Sequence, residues 1–177
     1  MKQIYLLIGA ILLNGNVWAI DGVSAEIGKG DEDTNMARIG AQWNWDKKWF
    51  TDGNWLVSGY WEASVGRWNG RNSADNNHNI TDVGFTPVFR LQQKTLSGLA
   101  PYLEAGIGVH LISDTHINAE RRFSTAFQFG DHLGAGLRFG DRQQFDLSYR
   151  FQHLSNGSIK RPNPGINFSQ IRLAYHF

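Results

Sequence analysis

The sequence predicts an all-β protein, an eight-stranded antiparallel β-barrel that spans a membrane, and three observations predict it. Eight segments alternate apolar and polar residues with period 2, the pattern of strands with one greasy face. The polar connections alternate between short and long, as in barrels with turns at one rim and loops at the other. The two faces differ sharply: one is apolar and aromatic, while the other carries five acids and five arginines.

Strand one, about 22–29, sets Val23, Ala25 and Ile27 against Ser24, Glu26 and Gly28, and Gly30-Asp31-Glu32-Asp33 forms a polar turn. Strand two, about 36–46, opposes Ala37, Ile39, Ala41, Trp43 and Trp45 to Arg38, Gly40, Gln42 and Asn44. After a short connection, strand three, about 55–66, opposes Trp55, Val57, Trp61 and Val65 to Ser58, Tyr60, Glu62 and Ser64. A polar loop at 67–79 leads to strand four, about 80–91, with Val83, Phe85, Phe89 and Leu91 against Asp82, Thr86 and Arg90. Pro87 interrupts that strand and removes a ladder donor, so a bulge or an edge position is expected there. Strand five, about 101–112, alternates Leu103, Ile107, Val109 and Leu111 with Tyr102, Glu104 and His110. A second polar loop, 113–124, precedes strand six, about 126–139, where Phe127, Phe129, Leu133 and Leu137 alternate with Gln128, His132 and Arg138. Strand seven starts at Phe145, loop 156–166 follows it, and strand eight, about 167–177, ends on Phe177.

At 177 residues there is room for one domain. The absence of cysteine removes disulfides and thiol chemistry, and a net charge of +1 argues against a nucleic-acid footprint. Residues 1–19 read as a secretory signal: Lys2, an apolar run from Tyr5 to Leu13, and a cut after Ala19. The mature barrel is then 20–177. Ile171, Leu173, Tyr175 and Phe177 make a terminal strand similar to the recognition strand of bacterial outer-membrane barrels. With both ends periplasmic, the three long loops lie outside the cell.

The apolar face then meets lipid, with Trp43, Trp45, Trp55, Trp61 and Tyr175 as interface anchors. Glu26, Glu62, Asp82, Glu104 and Asp146 face the lumen with Arg38, Arg90, Arg138, Arg150 and Arg172, and the expected interior is a salt-bridged plug rather than a pore. A soluble lipocalin-like barrel is the alternative, with the apolar face turned inward around a ligand.

Polar residues on a lipid face are costly and call for a reason. Along strand seven, Phe145, Leu147, Tyr149 and Phe151 are followed on the same face by His153 and Ser155. Asp131 on strand six and Asn167 at the head of strand eight share that face near the same rim. A histidine can take a proton from a serine while a third group orients the imidazole, so the group reads as an esterase site facing membrane lipid. A structural or adhesion barrel, with these residues merely solvated at the rim, is the competing reading.

Three stretches resemble the outer-membrane lipid A 3-O-deacylases of the PagL type: Pro101-Tyr-Leu-Glu-Ala-Gly-Ile-Gly-Val109, Phe127-Gln-Phe-Gly-Asp-His-Leu-Gly-Ala-Gly-Leu-Arg-Phe139 and His153-Leu-Ser-Asn-Gly-Ser-Ile-Lys-Arg-Pro-Asn-Pro-Gly165. The resemblance implies hydrolysis of the ester-linked 3-hydroxyacyl chain at position 3 of lipid A, with no metal or cofactor. It implies Ser155 as nucleophile, His153 as base, Asn156 as critical for activity, and Asn163 with the backbone N–H near Ser158 as oxyanion stabilisers. Lipopolysaccharide is the implied substrate, the barrel-assembly machinery a folding partner, and a homodimer is compatible with it. One position departs: the family's triad glutamate, twelve residues after the serine, is Asn167 here. An amide can accept from an imidazole N–H but carries no charge to stabilise the imidazolium, so weakened activity is expected. Asp131 is the alternative acid, and Lys160 and Arg161 could meet lipid A phosphates or be ordinary loop charges.

Overall fold

The computed structural model describes residues 19–70, 79–118 and 121–177. The expected signal segment, Ala19 apart, and most of loop 67–79 lie outside the described residues. Among the described residues there are eight strands: β1 Gly22–Gly30, β2 Asn35–Asn44, β3 Trp55–Asn69, β4 Asn79–Gln93, β5 Ala100–Ile112, β6 Phe127–Phe139, β7 Phe145–Ser155 and β8 Ile166–His176. Each pairs antiparallel with its sequence neighbour, and β8 closes on β1 to complete a barrel with no free sheet edge.

Pro87 needs neither a bulge nor an edge. Phe85 pairs with Val109 and Val88 with Gly106, the same register on both sides of the proline, so the β4–β5 ladder lapses for two residues and resumes unshifted. The intact β3–β4 ladder on the other side, with Trp61 opposite Pro87, holds the strand in place. Strand β2 ends at Asn44, two residues short of expectation, because Trp45 folds over Gly59. A Cβ on Gly59 would stand 2.2 Å from the indole, so only glycine admits this packing.

Odd-numbered strand residues point out of the barrel and even-numbered ones point in. Ile27, Ile107 and Leu133 are 68%, 68% and 69% exposed, whereas Glu26, Glu104 and Arg150 are buried. This polarity excludes the lipocalin-like alternative. The lumen is a charge lattice: Arg150 contacts Glu26, Glu62 and Glu104 at 2.7, 2.9 and 2.6 Å. Arg38 bridges Glu26 and Asp82 at 3.2 and 2.9 Å, and Arg90 bridges Glu104 and Asp146 at 2.8 Å each. Arg138 departs from the expected pairing with an acid: it donates to the Gln143 carbonyl at 2.6 Å, at the β6–β7 turn. Its position next to the rim, half-exposed, puts a turn carbonyl nearer than the lumen carboxylates.

The salt-bridged plug fills only part of the lumen. At the long-loop end the inward positions include Met36, Trp68, Ile80, Ile112, Leu154, Ile166 and Phe168, and loop 113–126 folds in Ile117 and Phe123 to complete an apolar core. Outside, aromatic rings gather at the opposite, short-turn end. Trp45 packs on Trp49, Trp61 and Phe89, and Phe145 joins Phe139, Tyr175 and through it Phe177.

Candidate active site

His153 and Ser155 lie on the outward face of β7 at the long-loop end. Their Cα partners are Asp131 and Phe129 on β6, and Asn167 on β8 pairs with His153 from the other side. The antiparallel register therefore brings Asp131, His153 and Asn167 abreast across three strands.

Of the two flanking groups, Asn167 takes the imidazole. Its Oδ1 lies 2.7 Å from His153 Nδ1. The Asp131 side chain is exposed and makes no hydrogen bond or ion pair with a described residue, so no carboxylate contact to His153 is formed from this side. The amide orientation of Asn167 follows from its other contacts. Asp31 Oδ2 accepts from both Asn167 Nδ2 and the Asn167 backbone N–H, at 3.0 Å each. A carboxylate only accepts, so Nδ2 must face Asp31 and Oδ1 must face the histidine. His153 therefore carries a proton on Nδ1, and in the neutral ring it is Nε2 that presents the lone pair.

Sequence reading passed over Asp31 as a residue of a polar turn. It is 136 positions from Asn167. What joins them is closure of the β1–β8 seam: Gly30 pairs with Phe168, and the ladder runs one step further, with the Asp31 N–H donating to the Asn167 carbonyl at 3.1 Å. Glu32 and Asp33 follow with φ of 52° and 54°, and the Thr34 N–H closes the turn onto the Asp31 carbonyl at 3.1 Å. Two successive left-handed residues are the type I′ hairpin pattern, which holds Asp31 on a rigid corner. Arg121, from loop 113–126, pairs with Glu32 at 3.1 Å and more distantly with Asp31 at 3.7 Å, and donates to the Gly165 carbonyl.

In the sequence Gly165 is likewise only the end of a motif. Its φ is +63°, and a Cβ built on it would stand 2.7 Å from His153 Cε1 and 3.2 Å from Nε2. The ring thus lies directly against a position that glycine alone can fill.

The segment after Ser155 supplies donors. Gly157 and Ser158 have φ of 60° and 64°, and the Gly157 N–H points at Ser155 Oγ, 3.4 Å away. The Ser158 side chain is exposed, and Asn163 is half-buried. Asn163 Oδ1 accepts from the Asn156 N–H at 3.0 Å, which turns its Nδ2 away from that bond. Asn156 itself is fully buried, its side chain inside the barrel mouth. Its Nδ2 donates to Ser124 Oγ and the Lys160 carbonyl at 2.9 and 2.8 Å, stapling loop 156–165 to loop 113–126. Ser155 Oγ and His153 Nε2 make no hydrogen bond to each other; in apo enzymes such bonds are often long and tighten with substrate. Lys160 and Arg161 are exposed. Among the described residues, no group of three His, Cys, Asp or Glu side chains could hold a metal ion.

The family model described as lipid A 3-O-deacylase (PagL) matches residues 35–176, which include His153, Ser155 and Asn167. The lipid A deacylase PagL of Pseudomonas aeruginosa is 33% identical over 144 residues, 81% of this chain and 79% of that protein. The lipid A deacylase PagL of Bordetella bronchiseptica is 35% identical over 116 residues, 66% of this chain and 61% of its own length. The crystal structure of the outer membrane enzyme PagL superposes with a TM-score of 0.78 at 29% identity, covering 88% of this chain and 99% of that one. Neisserial surface protein A shares the barrel fold, with a TM-score of 0.56 at 13% identity over 88% of this chain and 95% of its own. The chain is an outer-membrane β-barrel and belongs to the PagL family of lipid A 3-O-deacylases.

Proposed function

We propose that this chain is a serine esterase that removes the 3-hydroxyacyl chain from position 3 of lipid A in the outer leaflet. The observation that carries the reading is the bond from His153 Nδ1 to Asn167, on the outward face beside Ser155. It holds the imidazole in the tautomer a general base requires.

The position fits a lipid ester. Phe145, in the aromatic band at the short-turn end, lies eight residues along β7 from His153. At about 3.3 Å per residue and a tilt of roughly 40°, that is about 20 Å along the membrane normal. The apolar band of an outer-membrane barrel is about 25 Å tall, so His153 and Ser155 reach the far interface, where headgroup and acyl chain join. With the long loops outside the cell and residues 1–19 removed as an export signal, that interface is the outer leaflet, where lipid A resides.

In the reaction, Ser155 Oγ attacks the acyl carbonyl carbon while His153 Nε2 takes the hydroxyl proton. Negative charge develops on the former carbonyl oxygen, and the Ser158 backbone N–H and Asn163 Nδ2 are assigned to receive it. Collapse expels the sugar oxygen, which takes the proton from His153 and leaves a free hydroxyl at position 3. Water, deprotonated by His153, then attacks the acyl-serine and releases the 3-hydroxy fatty acid.

The test is mass spectrometry of lipid A from cells expressing the protein. Wild type should yield a species lighter by one 3-hydroxyacyl group, and Ser155→Ala should not. Equal acylation in both would leave a non-enzymatic barrel.

A further inference from the structure

The triad acid of this site is neutral, yet a carboxylate stands directly behind it. We infer that Asp31 is the positioning residue of the site: held against Asn167, it sets the tautomer of His153 and supplies from one amide away the charge that Asn167 lacks. The inference rests on the esterase reading above.

An asparagine is an ambiguous partner for an imidazole. With Oδ1 toward the ring it accepts from Nδ1–H and leaves Nε2 free as a base. Flipped, its Nδ2 donates to an unprotonated Nδ1 and forces the proton onto Nε2, where it blocks attack by the serine. Nothing within Asn167 chooses between them. Asp31 does: its Oδ2 accepts from Nδ2 and from the Asn167 backbone N–H, at 3.0 Å each, and a flipped amide would set two oxygens against one another.

The carboxylate is well placed for charge as well. It polarises the amide so that Oδ1 becomes more negative as the imidazolium forms. The charges around Asp31 leave it available. Arg121 is closer to Glu32 than to Asp31, at 3.1 against 3.7 Å, and commits a further bond to the Gly165 carbonyl. Lys29 pairs with Asp33 at 3.0 Å, on exposed side chains. Among the described residues, both hydrogen bonds to the Asp31 carboxylate come from Asn167, on a turn locked by the β1–β8 seam.

The arrangement makes an unusual prediction about restoring the family's glutamate. Asn167→Glu alone places a second carboxylate against Asp31 and lowers activity. Asp31→Asn removes the charge at constant shape and leaves an oxygen to accept from Asn167. The double variant Asp31→Asn/Asn167→Glu exchanges the two groups, so the amide now at position 31 can donate to a glutamate that faces His153 directly.

The experiment is steady-state deacylation of lipid A in mixed micelles by the purified full barrel. We expect Asp31→Asn to lower kcat about tenfold with KM unchanged, and Asp31→Ala to lower it further. We expect the double variant to recover at least the wild-type kcat. A merely structural turn residue would not be rescued by a change at position 167. In parallel, ¹⁵N NMR should report Nδ1–H for His153 in the wild type and a shift toward Nε2–H in Asp31→Ala. If Asp31→Asn stays within twofold of wild type while Ser155→Ala is dead, this inference falls and the esterase reading stands. A double variant no better than Asp31→Asn alone would also overturn it. If Ser155→Ala matches wild type, the esterase reading falls and this inference with it.

Discussion

The imidazole of His153 is confined from three sides. Asn167 holds Nδ1, Gly165 backs the ring, and β7 fixes the side from which it projects. Gly165 is the least tolerant of these. Its φ of +63° disfavours any Cβ, and the built Cβ overlaps the ring edge. We predict that Gly165→Ala displaces the imidazole and lowers deacylation by about a hundredfold, as misplacement by an ångström does elsewhere. The barrel itself should persist, so the variant should keep the heat-dependent gel shift of a folded barrel. Full activity would show that the ring does not need this seat.

The site is carried by the hairpin formed by β7, loop 156–165 and β8. Its strands are anchored in the barrel, but the loop depends on Asn156. That side chain bonds Ser124 and the Lys160 carbonyl, and the Asn156 backbone carbonyl receives the Ile159 N–H at 3.1 Å. Family resemblance implies that Asn156 is critical for activity; its buried side chain faces the barrel mouth, away from lipid, and we propose that it positions the donors that follow Ser155. Asn156→Ala removes two hydrogen bonds, and although Ser124 Oγ still donates to the Lys160 carbonyl at 2.7 Å, the staple between the loops weakens by about 1–2 kcal/mol. We predict faster proteolysis in 156–165 and a severe loss of kcat, with the thermal stability of the barrel nearly unchanged. A variant as resistant as wild type would assign Asn156 a direct role instead.

Beneath the site, the rigid scaffold of the barrel is the lumen lattice. Arg150 is its hub, with Glu26, Glu62 and Glu104 as partners and the Tyr60 hydroxyl at 2.7 Å. Replacing it with a neutral chain removes the arginine that three buried carboxylates share, leaving Glu26 to Arg38, Glu62 to Arg172 and Glu104 to Arg90. Arg150→Met should therefore destabilise the barrel by roughly 3–5 kcal/mol, read as a lower urea midpoint for unfolding from lipid vesicles. An unchanged midpoint would mean that water in the lumen replaces the arginine. The apolar core at the long-loop end plays the matching role above this lattice, where Leu154, between His153 and Ser155 in sequence, points inward and is fully buried. The site residues and the core thus alternate along one strand, which ties the outward geometry to the inward packing.

Period-2 alternation depends only on neighbouring residues, so the strands, their outward face and the placement of His153 and Ser155 were legible in the sequence. So was the departure at Asn167, because it is a single position in a motif. The apolar cap was less legible, since Ile117 and Phe123 come from a loop with no periodicity to reveal which way they turn. Between Asp131 and Asn167 the sequence could not choose: register sets both beside His153, and only side-chain geometry shows which reaches Nδ1. Asp31 was beyond reach altogether, because it meets Asn167 only when the first and last strands close the barrel. Local chemistry is written along the chain, whereas the contacts that orient it cross a seam that exists only after folding.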